Sequence, residues 1–221
     1  MPSESTRHHR RSIRLQGYDY RQAGAYFVTA CTQNRTPLFG EIVDGEMRLN
    51  ELGQIIADSW NWLSDQYPYV SLDAWIIMPN HLHGIIVITD EDNDASTNDG
   101  GLGSRTAPTT PITKRKPLGR LIGAFKTVST KSINVLRCTH TAVVWQRNFY
   151  EHIIRNRRAL DAIRHYIENN PQMWPYDIDN LIAERPSSEQ RRAHAQKLGI
   201  AEVELRLYAD LEADYCTRGG N

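Results

Sequence analysis

The sequence has few cysteines, no long apolar run and no net charge, and each of these absences narrows the class of protein. Its 221 residues include three cysteines, which lie far apart and form no CxxC pair. This usage argues against a disulfide framework or a cysteine zinc site and favours a reducing, cytoplasmic compartment. No apolar run approaches the roughly 18 residues that a membrane span requires, and the first residues lack a signal-peptide core. We therefore expect neither a secreted protein nor a membrane protein.

The balanced net charge conceals a strong segregation of charge along the chain. Residues 40–113 carry twelve acidic and two basic side chains, whereas residues 114–166 carry twelve basic and two acidic ones. The second block indicates either a surface that binds a polyanion such as nucleic acid or a solvated basic helix face. Charge alone leaves both interpretations open.

The apolar periodicity predicts the order strand, helix, strand, strand, helix, strand, helix. Residues 25–32 alternate as a strand does, Asp44-Gly45 indicates a hairpin turn, and Asn50 is a suitable cap for the first helix. The last helix is predicted to begin near Asn156 and to end before Pro171. This order predicts an α+β protein with a ferredoxin-like antiparallel sheet and helices on one face. Residues 90–117, rich in Asp, Asn, Gly, Ser, Thr and Pro, are predicted to form a flexible acidic insertion.

The tetrapeptide His81-Leu82-His83-Gly84 opens a predicted strand. Residues two apart on a strand project to the same face, so the two histidines can present two imidazoles to one divalent metal. The alternative is a pair of surface or hydrogen-bonded histidines without a metal. Two ligands also leave a metal site incomplete.

The last predicted helix supplies the missing groups. Tyr166 lies beside its apolar stripe, and Asn170 follows one turn later on nearly the same face. Taken alone, the tyrosine is typical of a core residue and the asparagine of a helix cap. Beside a histidine pair on a neighbouring strand, they indicate a metal with three ligands and a phenolic nucleophile.

Four segments carry a resemblance to a known family: AYFVTACTQNRTPLFGEI, AWIIMPNHLHGIIVI, LGRLIGAFKTVSTKSIN and VWQRNFYEHIIRN with RHYIENNP. Over residues 11–174 the chain resembles the REP-associated tyrosine transposases, a branch of the single-tyrosine HUH (His-hydrophobe-His) transposases. The resemblance implies that His81, His83 and Asn170 hold Mg²⁺ or Mn²⁺. It also implies that Tyr166 is the nucleophile.

The resemblance further implies an enzyme that nicks and rejoins single-stranded or hairpin DNA through a 5′-phosphotyrosine link. Residues 1–174 would form the catalytic domain, and residues 175–221 an extension without an assigned role. We expect a cytoplasmic, nucleoid-associated monomer, with a homodimer as the alternative. Two other functions stay open: a domesticated protein that binds repeat hairpins with little turnover, and a metal phosphodiesterase in which water attacks.

The basic side chains of residues 114–166 are predicted to bind DNA, because each of them can neutralise a phosphate. The residues predicted to bind DNA are Arg120, Lys126, Lys131, Arg147 and Arg155. Neighbouring aromatic residues can stack on bases or belong to the core, and we expect Trp145 in the core. Tyr150 is the competing candidate for the nucleophile, although it has no ligand partner at helical spacing.

Overall fold

The computed structural model describes residues 15, 17–90, 114–177, 179–180 and 187–200. The strands and α-helices within these ranges are β1 (Gly24–Cys31), β2 (Gly40–Val43), β3 (Glu46–Leu49), α1 (Glu51–Gln66), β4 (Val70–Ile77), β5 (His81–Ile88), α2 (Leu118–Leu136), β6 (Tyr150–Ile154), α3 (Arg157–Met173) and α4 (Ser188–Lys197). No helix in the described part of the chain is long and apolar enough to cross a membrane.

Four strands form one antiparallel sheet in the order β4-β5-β1-β6. Helix α1 connects β1 to β4 and helix α2 connects β5 to β6, which makes the βαββαβ arrangement of a ferredoxin-like fold. The predicted α+β class with a ferredoxin-like antiparallel sheet is therefore confirmed. Strands β2 and β3 form a separate hairpin whose turn residues Asp44 and Gly45 both have positive φ, at 54° and 77°. This turn matches the predicted hairpin.

Helices α1 and α2 cover one face of the sheet. Helix α1 begins after Asn50, whose side chain accepts a hydrogen bond from the Gly53 amide at 2.9 Å, as the sequence predicted. Trp60 of α1 and Phe125 of α2 meet edge to face, with ring centroids 5.1 Å apart. A Cβ atom on Gly84 would lie 2.5 Å from Cζ2 of Trp60, so the glycine allows α1 to approach β5 closely.

Helix α3 covers the opposite face of the same sheet. Phe27 and Ile85 of the sheet and Ile163 and Ile167 of α3 belong to one buried apolar cluster. The expectation that the helices cover one face of the sheet holds for α1 and α2. It is wrong for α3, which covers the other face. Apolar periodicity identifies the buried stripe of a helix but not the sheet face that the stripe covers.

Helix α3 is also longer than predicted. It begins after Asn156, whose side chain accepts a hydrogen bond from the Ala159 amide at 2.9 Å. It continues through Pro171 to Met173, so the prediction that it ends before Pro171 is wrong. A proline in the last turn removes one hydrogen bond and leaves the preceding turns intact, which keeps Asn170 within the helix.

The predicted insertion and C-terminal extension are described only in part. Residues 91–113 lie outside the described residues. On either side of them, Arg115 donates to a carboxylate oxygen of Asp90 at 2.8 Å. Beyond α3, a short 3₁₀ turn spans Trp174–Tyr176, and Ala195 of α4 joins the apolar cluster beneath α3. Residues 201–221 also lie outside the described residues.

Candidate metal and nucleophile site

The two histidines lie side by side at the start of β5, on the sheet face that α3 covers. His81 is 0% exposed and His83 is 4% exposed, and their ring centroids are 4.4 Å apart. Leu82 between them belongs to the core beneath α1 and α2. The strand alternation is thus as predicted, and the alternative of a surface pair is excluded by the burial.

One nitrogen of each imidazole is held by a neighbouring side chain. Nδ1 of His83 lies 2.8 Å from the Thr29 hydroxyl oxygen, directly across the β1–β5 ladder. Nδ1 of His81 lies 2.9 Å from Oδ1 of Asn80. These contacts orient both rings, as outer partners of metal-binding histidines commonly do.

The environment keeps both imidazoles neutral. Burial lowers the pKa of His83 to about 3. Burial also lowers the pKa of His81 well below its ordinary value, and the neighbouring His83 and Arg35 lower it further. A neutral imidazole has the free lone pair that a metal ligand needs.

Helix α3 brings the predicted tyrosine and asparagine to the histidines. The hydroxyl of Tyr166 lies 3.3 Å from Nε2 of His83. Asn170 lies one helical turn after Tyr166 and is buried. Its side chain hydrogen-bonds to the His81 ring, and apart from this contact Oδ1 of Asn170 and Nε2 of His81 are buried atoms without a partner among the residues that the structure describes. A bound ion would give both of these buried polar atoms a partner.

Asp177 adds a carboxylate that the sequence analysis did not single out. Its Oδ2 lies 3.9 Å from Nε2 of His81, and one ligand atom from each of His81, His83 and Asp177 lies within 4.8 Å of the others. The predicted domain boundary at residue 174 had separated Asp177 from the site. The feature of the sequence that could have identified Asp177 is its position as an acidic residue just after the helix that carries Asn170.

The donor set fits a divalent cation. It combines two imidazole nitrogens, one carboxylate and one amide oxygen, a mixture that first-row divalent metals accept and whose oxygen donors suit Mg²⁺ and Mn²⁺. The donors come from β5, from α3 and from the segment behind α3. The residues present can therefore hold a metal ion.

The basic residues differ in their surroundings. Lys126 is half-buried, and its ammonium group donates to the backbone oxygens of Gln146 at 2.9 Å and Asn148 at 2.7 Å. Burial lowers its pKa to about 8. These contacts fix the loop before β6 instead of presenting the lysine to a ligand. The exposed members of the predicted set are Arg120, Lys131, Arg147 and Arg155.

The aromatic residues of the WQRNFY segment are mainly core. Trp145 is buried, and its indole nitrogen donates to the Ser129 hydroxyl at 2.9 Å, which confirms its predicted place in the core. Tyr150 is buried on β6 and meets Phe27 edge on at 6.2 Å. Tyr166 meets the same phenylalanine ring at 5.9 Å, so the two tyrosines belong to one cluster.

Comparison with known proteins identifies relatives in sequence and in structure. No family model matches the chain. An "Uncharacterized protein" of Haemophilus influenzae is 39% identical over 170 residues, which cover 77% of this chain and 92% of that protein. A second protein of that organism, named "Putative REP-associated tyrosine transposase", is 24% identical over 168 residues, covering 72% and 81%.

The solved structures share less sequence. One is described as a REP-associated tyrosine transposase bound to a REP hairpin, with TM-score 0.47, 20% identity and coverage of 72% of both chains. Another is described as a putative transposase from Deinococcus radiodurans, with TM-score 0.38, 16% identity and coverage of 71% and 95%. The chain therefore belongs to one family with the first Haemophilus influenzae protein, and it is similar in sequence to the second, which is named a putative REP-associated tyrosine transposase.

Proposed function

We propose that this protein acts as a REP-associated tyrosine transposase does by resemblance: it is a metal-dependent enzyme that nicks and rejoins single-stranded or hairpin DNA, with Tyr166 as its nucleophile. The observation that carries the proposal is the 3.3 Å contact between the Tyr166 hydroxyl and Nε2 of His83. A phenol in this place stands beside the donors of a metal site, where a phosphate bound for attack would lie.

The residues that would hold Mg²⁺ or Mn²⁺ are His81, His83, Asn170 and Asp177. Such an ion, when bound, neutralises charge on a phosphate and makes its phosphorus more electrophilic. The protein contributes the orientation of the donors, the exclusion of water by burial, and the neutral state of both imidazoles.

Tyr166 would form the covalent link. Its hydroxyl oxygen bonds to the phosphorus while the bond from phosphorus to the 3′ oxygen breaks, which leaves a 5′-phosphotyrosine and a 3′-hydroxyl. The phenol loses one proton and the leaving oxygen gains one, so the step is balanced. Attack by a 3′-hydroxyl on the phosphotyrosine is the reverse reaction, and it rejoins DNA without another source of energy.

The exposed basic residues would bind the DNA backbone. Arg120, Lys131, Arg147 and Arg155 can each neutralise a phosphate, and we assign Lys126 to holding the loop that carries Arg147. We expect the protein to act as a monomer on nucleoid DNA in the cytoplasm.

A pair of tyrosine variants tests the proposal. The protein is incubated with a single-stranded hairpin oligonucleotide and Mn²⁺, and adducts are resolved by denaturing electrophoresis and located by peptide mapping. Tyr166→Phe removes the phenol oxygen but keeps the ring against Phe27, so we expect DNA binding without any adduct. Tyr150→Phe is the matched control in the same apolar cluster, and we expect it to form the adduct.

The other outcomes identify the alternatives. An adduct that maps to Tyr150, or one that persists in Tyr166→Phe, contradicts the assignment of the nucleophile. Cleavage by the wild type without an adduct supports a phosphodiesterase that uses water. Binding without cleavage by the wild type supports a domesticated hairpin-binding protein.

A further inference from the structure

Asn80, the residue before the histidine pair, joins three separate segments of the chain. It is 2% exposed. Its amide nitrogen donates to the backbone oxygens of Arg35 at 2.9 Å and Asp179 at 2.7 Å, and its Oδ1 lies 2.9 Å from Nδ1 of His81. Only the NH₂ end of the amide can donate to two carbonyl oxygens, so these contacts fix which end faces His81.

This orientation determines which nitrogen of His81 carries the proton. Oδ1 of Asn80 is an acceptor without a proton, so Nδ1 of His81 must be the donor in their 2.9 Å contact. In a neutral ring the lone pair then belongs to Nε2. Nε2 is the atom that lies 3.9 Å from Oδ2 of Asp177, and the His81 ring also hydrogen-bonds to the side chain of Asn170, the amide donor of the proposed metal site.

The backbone at Arg35 is the second observation. Asn34 and Arg35 have φ values of 57° and 52°, a left-handed conformation that is unfavourable for a long side chain. Such residues persist where their surroundings over-determine them, and they cluster at functional sites. Here the carbonyl oxygen of Arg35 accepts a hydrogen bond from the Asn80 side chain. Nε of the Arg35 side chain lies 2.7 Å from a carboxylate oxygen of Asp179.

Asp179 therefore contacts both other members of the group. Its carbonyl holds the Asn80 amide and its carboxylate pairs with the Arg35 guanidinium. The carboxylate is nearly inaccessible, so this ion pair is largely shielded from water and from salt. Asn80, Arg35 and Asp179 thus connect the segment behind α3 to the start of β5.

We propose that Asn80, held by Arg35 and Asp179, is a positioning residue that keeps His81 in its Nδ1–H tautomer and so keeps Nε2 available as a metal ligand. The proposal deepens the proposed function, on which it rests for the metal at His81. It assigns to the segment behind α3 a role in metal binding beyond the carboxylate of Asp177.

The first test is the tautomer of His81 in the metal-free wild-type protein. Histidine labelled with ¹⁵N gives different nitrogen shifts for protonated and unprotonated ring positions, and His81→Gln identifies the resonance. We expect the proton on Nδ1 at neutral pH. A proton on Nε2 overturns the proposal.

The second test is the affinity for Mn²⁺, measured by titration of the same metal-free protein. We expect Asn80→Ala to weaken binding by about ten-fold or more, as loss of an outer partner of a metal ligand commonly does. Asp179→Asn keeps the backbone carbonyl but loses the charge that pairs with Arg35, so we expect a smaller loss in the same direction. Asp161→Asn, at an ion pair on the surface of α3, is the matched control and should leave the affinity unchanged.

Thermal unfolding of each variant separates positioning from folding. Wild-type affinity for Mn²⁺ in folded Asn80→Ala overturns the proposal, and if that variant does not fold, Asp179→Asn decides in the same way. The DNA adduct is a separate readout. If the wild type forms no adduct while the tautomer and the Mn²⁺ affinities agree with expectation, the proposed function fails and the positioning role of Asn80 stands.

Discussion

The two faces of the sheet are built from alternate residues of the same strands, yet they differ in chemistry. On the face beneath α1 and α2, Val28, Leu82 and Ile86 meet apolar side chains and close a core. On the face beneath α3, the intervening residues Thr29 and His83 carry hydrogen-bonding groups that remain buried. A single strand thus serves stability with one set of residues and the site with the other, because its period is two.

The difference lies in how each face responds to change. The face beneath α1 and α2 depends on volume, since its atoms are close-packed and uncharged. The face beneath α3 depends on particular polar atoms, since each buried donor or acceptor needs its partner. We therefore expect substitutions on the two faces to affect different measurements.

The largest expected effect is on the polar face. His81→Ala or His83→Ala removes an imidazole that would hold the metal, so we expect nicking to fall by more than about 100-fold, beyond the loss seen for outer partners. Hairpin binding should largely survive, because affinity comes mainly from phosphate contacts. Cleavage assays with Mg²⁺ or Mn²⁺ measure this, and chelation should abolish wild-type cleavage as well. His140→Ala, at an exposed histidine, is the control, and equal nicking by a site variant and the wild type contradicts the ligand assignment.

The next effect is on the apolar face and concerns stability. Gly84→Ala would place a Cβ atom 2.5 Å from the Trp60 ring, so we expect a loss of about 1–3 kcal/mol from overpacking. Gly123→Ala in α2 is the matched control, since nothing lies within 4 Å of its added Cβ atom. We expect it to stabilise by about 0.5–1 kcal/mol through helix propensity. Denaturant unfolding tests both variants, and equal stabilities would show that close packing at Gly84 does not matter.

A smaller effect concerns the attachment of α3 to the sheet. Arg164 donates to both carboxylate oxygens of Asp73 on β4, at 2.8 and 2.6 Å, and holds the pKa of Asp73 below its usual 3.8. A lowered pKa stabilises the fold at pH above the ordinary value, and this stability is lost as the pH falls through the lower folded value. Asp73→Asn should cost less than about 1 kcal/mol at neutral pH, because the pair is partly exposed to water.

Unfolding curves below pH 4 give the sign of this contribution. The difference in stability between the wild type and Asp73→Asn should shrink as the solution becomes more acidic. Asp65→Asn, at an exposed aspartate of α1, is the control for the loss of a surface carboxylate. A difference that grows on acidification contradicts the assigned ion pair.

The smallest expected effect is that of the acidic insertion. A deletion that joins Asp90 to Lys114 removes residues 91–113 and keeps the pairing of Asp90 with Arg115. The removed stretch has no apolar periodicity and carries acidic charge, which does not suit contact with DNA. We expect the midpoint of thermal unfolding and the yield of adduct to stay near wild type. A large fall in the midpoint would show that the fold depends on the insertion, and a large fall in the yield would show that the site depends on it.

Several features of this protein followed from local patterns. The alternation of residues in β5 placed His81 and His83 on one face, and helical spacing placed Tyr166 and Asn170 one turn apart. The cap Asn50 marked the start of α1, and the start of α3 was placed near Asn156. Each of these rules acts over a few residues, so a sequence displays it without knowledge of the rest of the chain.

Other features depended on distant parts of the chain. Helix α3 ends beyond Pro171 and packs on the face with the histidines. Asp177 and Asp179 lie beside His81, and the ammonium group of Lys126 donates to two backbone oxygens of the loop before β6.

The periodicity of the sequence thus determined which residues share a face or a turn. Only the tertiary structure decided which faces meet, because packing joins segments that are far apart in the chain, such as Asn80 and Asp179, and no local pattern records their contact.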